Sequence, residues 1–205
     1  FMANAEGNVI VISQTAPTAA TLGNETFVSQ EGNLNGTQID VVGDANDVFV
    51  EQFGEENVAI GNITGNVNNV YIVQDGTGAE TQLDVLGNTN DVSIIQIGGP
   101  AQAGFTNRSI NTIQGDANSL EVYSGQGGNW SNNDVIGAGN DVEVTQEDEW
   151  MESYVTVTGN DNSVEVEQSG FYNISNVTVS GTDNDVSVES DGSQNVATAA
   201  VDGVD

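Results

Sequence analysis

Hydrophobic and polar residues alternate along most of this chain with a period of two, the signature of strands and not of helices. In the segment from Asn46 to Gln52, Asn46, Val48, Val50 and Gln52 point one way and Asp47, Phe49 and Glu51 the other. The same pattern restarts at Asn68, Asn90, Asn118, Asn140, Asn162 and Asn184, with a weaker copy at Asn24. Every step is 22 residues except that from Asn90 to Asn118, which is longer by six. A Gly lies three residues before most of these Asn residues, at Gly43, Gly65, Gly87, Gly115, Gly137, Gly159 and Gly181, and the register continues to Gly203. After the first strand a short Gly-containing arc leads to a second, whose inward positions are Asn57, Ala59, Gly61 and Ile63, or Asn35, Thr37, Ile39 and Val41. One repeat is thus a strand–arc–strand rung, and residues 24–205 hold eight of them plus an insertion near 98–107.

Charge tests this register. Eight inward positions in eight rungs make 64 sites, and random placement would put roughly ten charged residues among them, whereas a buried layer holds none. No Asp, no Glu and not Arg108 falls there. A lone rung buries too little to offset the entropy of ordering its residues, so rungs must stack. The fold class expected is all-β: a two-sheet β-solenoid of 22-residue repeats stacking as in a cross-β fibre. Like residues then form columns. Asn24, Asn46, Asn68, Asn90, Asn118, Asn140, Asn162 and Asn184 make one, and Gln30, Gln52, Gln74, Gln96, Gln146 and Gln168 a second, interrupted by Ser124. Asn35, Asn57, Asn107, Asn129, Asn173 and Asn195 recur on the second strand. Amides in a column can donate to one neighbour and accept from the other, which an isolated rung would not allow.

Composition narrows the function. Of 205 residues 31 are acidic and one is basic, a net charge of -30, which argues against nucleic acid and anionic membranes as partners. Without Cys or His the chain can form no disulfide or thiolate metal site and lacks the commonest general base. No apolar run approaches a membrane span, and no secretory signal peptide is read at the N-terminus. Parallel β-helix lyases have coils of similar length, but here the acids are scattered over outward columns and only Arg108 could stabilise an oxyanion. The chain is read as no enzyme, with no cofactor and with cations held only loosely.

These residues resemble the curlin family, the secreted subunits of bacterial curli amyloid, whose repeat is Ser-x5-Gln-x4-Asn-x5-Gln. Asn46, Gln52 and Asn57 match its first three positions, with Asn for Ser. Gln-x-Gly elements recur at Gln52–Gly54, Gln74–Gly76, Gln96–Gly98 and Gln168–Gly170. The last Gln is replaced by Val41, Ile63, Val85, Ile113, Val135, Val157, Val179 and Val201, which makes that side of the core more apolar and the chain a divergent, acidic member. The resemblance implies an extracellular, cell-surface functional amyloid of biofilm matrix, with a nucleator subunit and an outer-membrane secretion channel as partners. It also implies an N-terminal export segment. Residues 1–23 either fill that place or form a shortened rung, because Asn8, Ile10, Ile12 and Gln14 copy the first-strand pattern.

The last repeat has the pattern of the middle ones, and open solenoid ends are unpaired sheet edges. The partner expected is therefore the chain itself, rung eight stacking on the first rung of the next copy in a head-to-tail homopolymer. Outside, Glu121, Glu143 and Glu165 fall in one column, which calls for screening by salt or cations and points to a salt-rich habitat. Phe27, Phe49 and Tyr71 form an aromatic stripe suited to cross-rung stacking or to bundling. Of seven Asn-x-Ser/Thr triplets only Asn62 and Asn176 lie on outward positions, so only they are candidates for glycosylation. The alternative function is a monomeric acidic β-solenoid, serving as an adhesin or a cation-binding surface protein.

Overall fold

The computed structural model describes residues 2–4, 7–16, 23–98 and 106–204. Its strands come in pairs, one pair to a rung. The first pair is β1 (Met2–Asn4) and β2 (Val9–Thr15), followed by β3 (Glu25–Asn33) and β4 (Gly36–Val42). Next come β5 (Asp47–Glu55) and β6 (Val58–Thr64), β7 (Asn69–Thr77) and β8 (Glu80–Leu86), and β9 (Asp91–Ile97) and β10 (Arg108–Gln114). The remaining pairs are β11 (Ser119–Ser124) and β12 (Trp130–Ala138), β13 (Asp141–Gln146) and β14 (Glu152–Asn160), β15 (Ser163–Phe171) and β16 (Ile174–Thr182), and β17 (Asp185–Ser193) and β18 (Val196–Val204). Odd strands form one sheet in the order β1-β3-β5-β7-β9-β11-β13-β15-β17, and even strands form the other in the same progression. All neighbours are parallel and in register, as with Val48 beside Val70 and Gln52 beside Gln74. The chain is a two-sheet β-solenoid.

Between the sheets lies one core, in which Val48, Val50, Val70, Ile72, Val92 and Ile94 pack with Ile39, Ile63, Leu83 and Val85. Among the described residues no charged side chain is buried. Burial fades at the last rung, where Asn184 and Asn195 are only half-buried and Val196 is exposed. The register also carries the six extra residues. Arg108 pairs with Glu80, 28 positions back, and with Trp130, 22 positions on, so the longer step lies between β9 and β10. Most of the insertion expected near 98–107 falls on residues 99–105, outside the described residues.

The N-terminal strands differ from the sequence expectation. Asn8, Ile10, Ile12 and Gln14 lie not at first-strand positions but on the second sheet, with Ile10 beside Thr37, Ile12 beside Ile39 and Gln14 beside Val41. β1 lies on the other sheet, pairing Met2 with Ser29, Ala3 with Gln30 and Asn4 with Glu31. Both halves of a rung begin with an inward Asn followed by alternating apolar residues, so pattern alone cannot tell them apart. Spacing could have done so. Asn35 to Asn46, second strand to next first strand, is 11 residues, and Asn8 to Asn24 is that step plus five.

Two corner positions set the turns. The Gly three residues before each first-strand Asn has positive φ, +139° at Gly65, and a Cβ there would lie 1.7 Å from the Gly87 carbonyl oxygen. The residue directly before the inward Asn is left-handed as well, even where it is not Gly: Leu34, Ala45, Glu56, Val67, Thr89, Ala117, Asp161, Tyr172 and Asp183 have φ between 54° and 59°. Gly65→Ala should therefore cost at least about 3 kcal/mol. Val67→Gly, at an exposed β-branched residue forced to φ 59°, should gain about 0.5–1 kcal/mol. Denaturant midpoints of the two variants against the parent chain check both signs.

Candidate functional site: the amide ladders and the outer columns

The first-strand Asn column is a continuous hydrogen-bonded ladder. Each Nδ2 donates to the Oδ1 of the rung before, at 2.9 Å for Asn46 to Asn24, 3.0 Å for Asn68 to Asn46, and 2.9 Å at the last step from Asn184 to Asn162. The backbone N–H of each Asn donates to that same oxygen, as from Asn68 to Asn46 at 3.0 Å. The second Nδ2 hydrogen reaches the corner Gly, Asn46 to the Gly65 carbonyl at 2.8 Å. Each buried amide therefore ties its rung both to a neighbour and to its own corner.

The Gln column runs with opposite polarity. Gln30 Nε2 donates to Gln52 Oε1 at 2.7 Å, Gln52 to Gln74 at 2.7 Å and Gln74 to Gln96 at 3.0 Å, each toward the following rung. At rung five a Ser stands in the column, and the Ser124 hydroxyl lies 3.4 Å from Gln146 Oε1, which leads on to Gln168. The second-strand Asn column bonds differently from the amide-to-amide ladder expected of it. Here Oδ1 accepts the next rung's backbone N–H, 3.0 Å from Asn57 to Asn35, while Nδ2 clamps arc carbonyls, Phe53 at 3.0 Å and Gly76 at 3.1 Å for Asn57. Asn107, Asn129 and Asn173 do the same at their arcs, and Ala79 and Met151 interrupt the column. The alternation showed which residues face inward, and nothing in it distinguished a ladder from a clamp.

Outside, one column of the first sheet changes character along the stack. Phe27, Phe49 and Tyr71 are stacked, with ring centroids 5.0 and 5.3 Å apart. Past Ser93 the same column continues as Glu121, Glu143 and Glu165. Desolvation against the sheet, then the like charges of Glu121 and Glu165, then Asp141 and Glu167, raise the Glu143 carboxyl above its ordinary value of 4.5. On the second sheet the chain's one cation is held in a column of its own. Arg108 Nε lies 3.2 Å from Glu80 on one side, and its guanidinium is 4.8 Å from the Trp130 ring centroid on the other. Pattern reasoning had not found this clamp, although Glu80, Arg108 and Trp130 occupy equivalent positions of successive repeats. Of the Asn-x-Ser/Thr sites, Asn62 is exposed, with its Nδ2 2.6 Å from Asp84, and Asn176 is half-buried. Asn35, Asn107, Asn129 and Asn173 are buried and Asn24 is half-buried. Among the described residues no three acids converge as a metal site would need.

The curlin associated repeat matches the chain at residues 23–54, 43–76 and 159–192. Over those stretches the chain is similar to the curlin-repeat family. That family is structural and non-enzymatic, and the solenoid described above fits a structural subunit of curli type. No curated protein and no solved structure matches the chain.

Two substitutions test this geometry. Asn68→Ala removes the acceptor of both the Asn90 N–H and its Nδ2, and should cost about 3 kcal/mol in chemical denaturation. For Glu143 the folded chain holds its proton to higher pH than the unfolded chain. The group therefore lowers stability as pH rises through 4.5 and upward, and this cost is absent below it. Glu143→Gln should raise Tm at pH 7 by an amount that disappears on acidification below 4.5. An equal gain at both pH values would mean that charge is not its cause.

Proposed function

We propose that this chain is the structural subunit of an extracellular, curli-like functional amyloid fibre, built by head-to-tail stacking of one copy on the next. The observation that carries this reading is that inward amides are partnered across rungs, while β17 and β18 each have a single sheet neighbour among the described residues. An edge of that kind accepts another rung with the geometry already used inside the chain. The curlin-repeat matches support the same reading, since curlin-repeat proteins are extracellular fibre formers. A place in biofilm matrix, adhesion and surface protection follow as its roles, with a nucleator subunit and an outer-membrane secretion channel as partners of the family's kind. Residues 1–23 are proposed to serve export as well. Any glycan on the folded protein belongs on Asn62 or Asn176.

Salt should control assembly. A net charge of -30 spread over nine rungs about 4.8 Å apart is roughly 0.7 charges per Å, above the roughly 0.6 per Å of duplex DNA. A filament with that charge density condenses counterions, which supports an origin in a salt-rich habitat. Cations need no dedicated site for this.

Electron microscopy and fibre diffraction on protein incubated in roughly 2 M salt, where the Debye length falls below about 3 Å, test the proposal. Thin unbranched filaments with a meridional reflection at about 4.7–4.8 Å are expected, with slower growth in dilute buffer. Protein that stays monomeric at high concentration and high salt would instead be an acidic solenoid acting singly, as an adhesin or a cation-binding surface protein.

A further inference from the structure

Six buried polar atoms lack hydrogen-bond partners among the described residues. Trp130 Nε1, Asn133 Oδ1 and the Ser153 and Ser175 hydroxyls lie within the second sheet. Gln30 Oε1, near the first full rung, and the Ser190 hydroxyl, in the last, lie at opposite ends of one column of the first sheet. Gln30 is 1% exposed and Ser190 5%. Both belong to the Gln column, in which every bond runs from one rung to an Oε1 in the next. The residue paired with Gln30 in the preceding strand is Ala3. β17, which carries Ser190, has only β15 as a sheet neighbour among the described residues. The chain already contains the contact that would satisfy both, the Ser124 hydroxyl against Gln146 Oε1 in adjacent rungs. A donor on one end thus matches an acceptor on the other, in the order the column requires.

We infer that rung eight of one copy stacks directly on β3 and β4 of the next, and that β1 and β2 are a displaceable cap over that surface. This rests on the fibre reading above and specifies its joint. β1 covers β3 at only three positions, Ser29 to Glu31, whereas β5 pairs with β3 along all nine residues from Glu25 to Asn33. β17 is also nine residues long and can cover β3 as fully as β5 does. What β2 offers, β18 can replace. Asn8 Oδ1 accepts the Asn35 N–H at 2.9 Å, and Asn195 stands at the equivalent place in rung eight. The Val9 carbonyl accepts Gln30 Nε2 at 3.1 Å, and Val196 occupies its column. Asn184 Oδ1, which accepts no bond among the described residues, would receive the Asn24 N–H and Nδ2.

Stacking rung eight on the cap itself is the poorer joint. It would enclose Gln14 in a column whose other described members are Val41, Ile63, Val85, Ile113, Val135, Val157, Val179 and Val201. It would also leave Gln30 and Ser190 unsatisfied. The cap covers the growing surface of a single copy and gives way when another copy arrives.

The chain has no Cys, so introduced thiols report one joint unambiguously. Thr198, Gln38 and Val11 are all exposed, and Val11 pairs with Gln38 in one outward column that Thr198 continues. Filaments grown from mixed Thr198→Cys and Gln38→Cys chains should, on oxidation, give a disulfide-linked dimer on a denaturing gel, whereas Thr198→Cys with Val11→Cys should give none. The reverse result, or filaments that form neither cross-link, overturns the displaced cap while leaving the fibre reading intact. A Val11→Cys/Gln38→Cys chain, oxidised so that the cap is locked, should elongate seeds at least about tenfold more slowly than when reduced. Equal rates would also overturn the cap. Parent chains that form no filaments overturn the fibre reading and the joint together.

Discussion

A side-chain amide buried away from water must find its hydrogen bonds inside the protein, and here a key partner is always one rung away. That single requirement orders the rest. An Asn in one rung calls for an Asn at the same place in the next, so substitution in a ladder column is costly on both sides. The same Nδ2 that joins rungs also holds the corner carbonyl of Gly65 or its equivalents, and the close approach of successive corners admits no side chain at Gly65. Valine and isoleucine fill the spaces between ladders, where shape alone is needed. The apolar core is therefore continuous along the stack and the polar ladders run through it as rails.

The two ladders point in opposite directions, and this gives the stack its polarity. Asn amides donate toward the N-terminal end and Gln amides toward the C-terminal end. Two copies meeting by like ends would set Asn184 Oδ1 against Asn184 Oδ1, acceptor on acceptor. Unlike ends set donors against acceptors in both columns. Direction in the proposed filament thus has the same origin as order within one chain, and no separate recognition element is required.

Most of the fold was legible because a repeat gives each position many tests at once. No single Asn46-to-Gln52 segment distinguishes a strand from a loop, but 64 inward sites free of charge do. What stayed hidden depends on hydrogen direction or on a single copy. The alternation places Asn46 and Asn57 inward alike and does not say that one bonds a neighbouring amide and the other clamps an arc. The left-handed residue before each inward Asn left no mark, since Leu34, Glu56, Val67 and Tyr172 have no shared chemistry and are held there by the turn they sit in. The strand that carries Ile10, Ile12 and Gln14 lies on the second sheet despite its first-strand pattern, because a lone copy offers no second instance against which to check its register.

The outer face follows a weaker rule. Stacking still forces its residues into columns, but water satisfies their polar groups, so a column can change from Phe27, Phe49 and Tyr71 to Glu121, Glu143 and Glu165 without breaking a rung. The cost appears as a raised Glu143 carboxyl and not as a distorted strand. Like charges about 4.8 Å apart repel whether or not the ladders beneath them are intact, and the ladders do not weaken in salt as that repulsion does. Inward amides thus decide whether rungs can join and in which order, while outward acids decide the ionic conditions under which joining is favourable. Sequence change in the two sets has separate consequences: the first alters the fold and its polarity, the second only the solution in which that fold is stable.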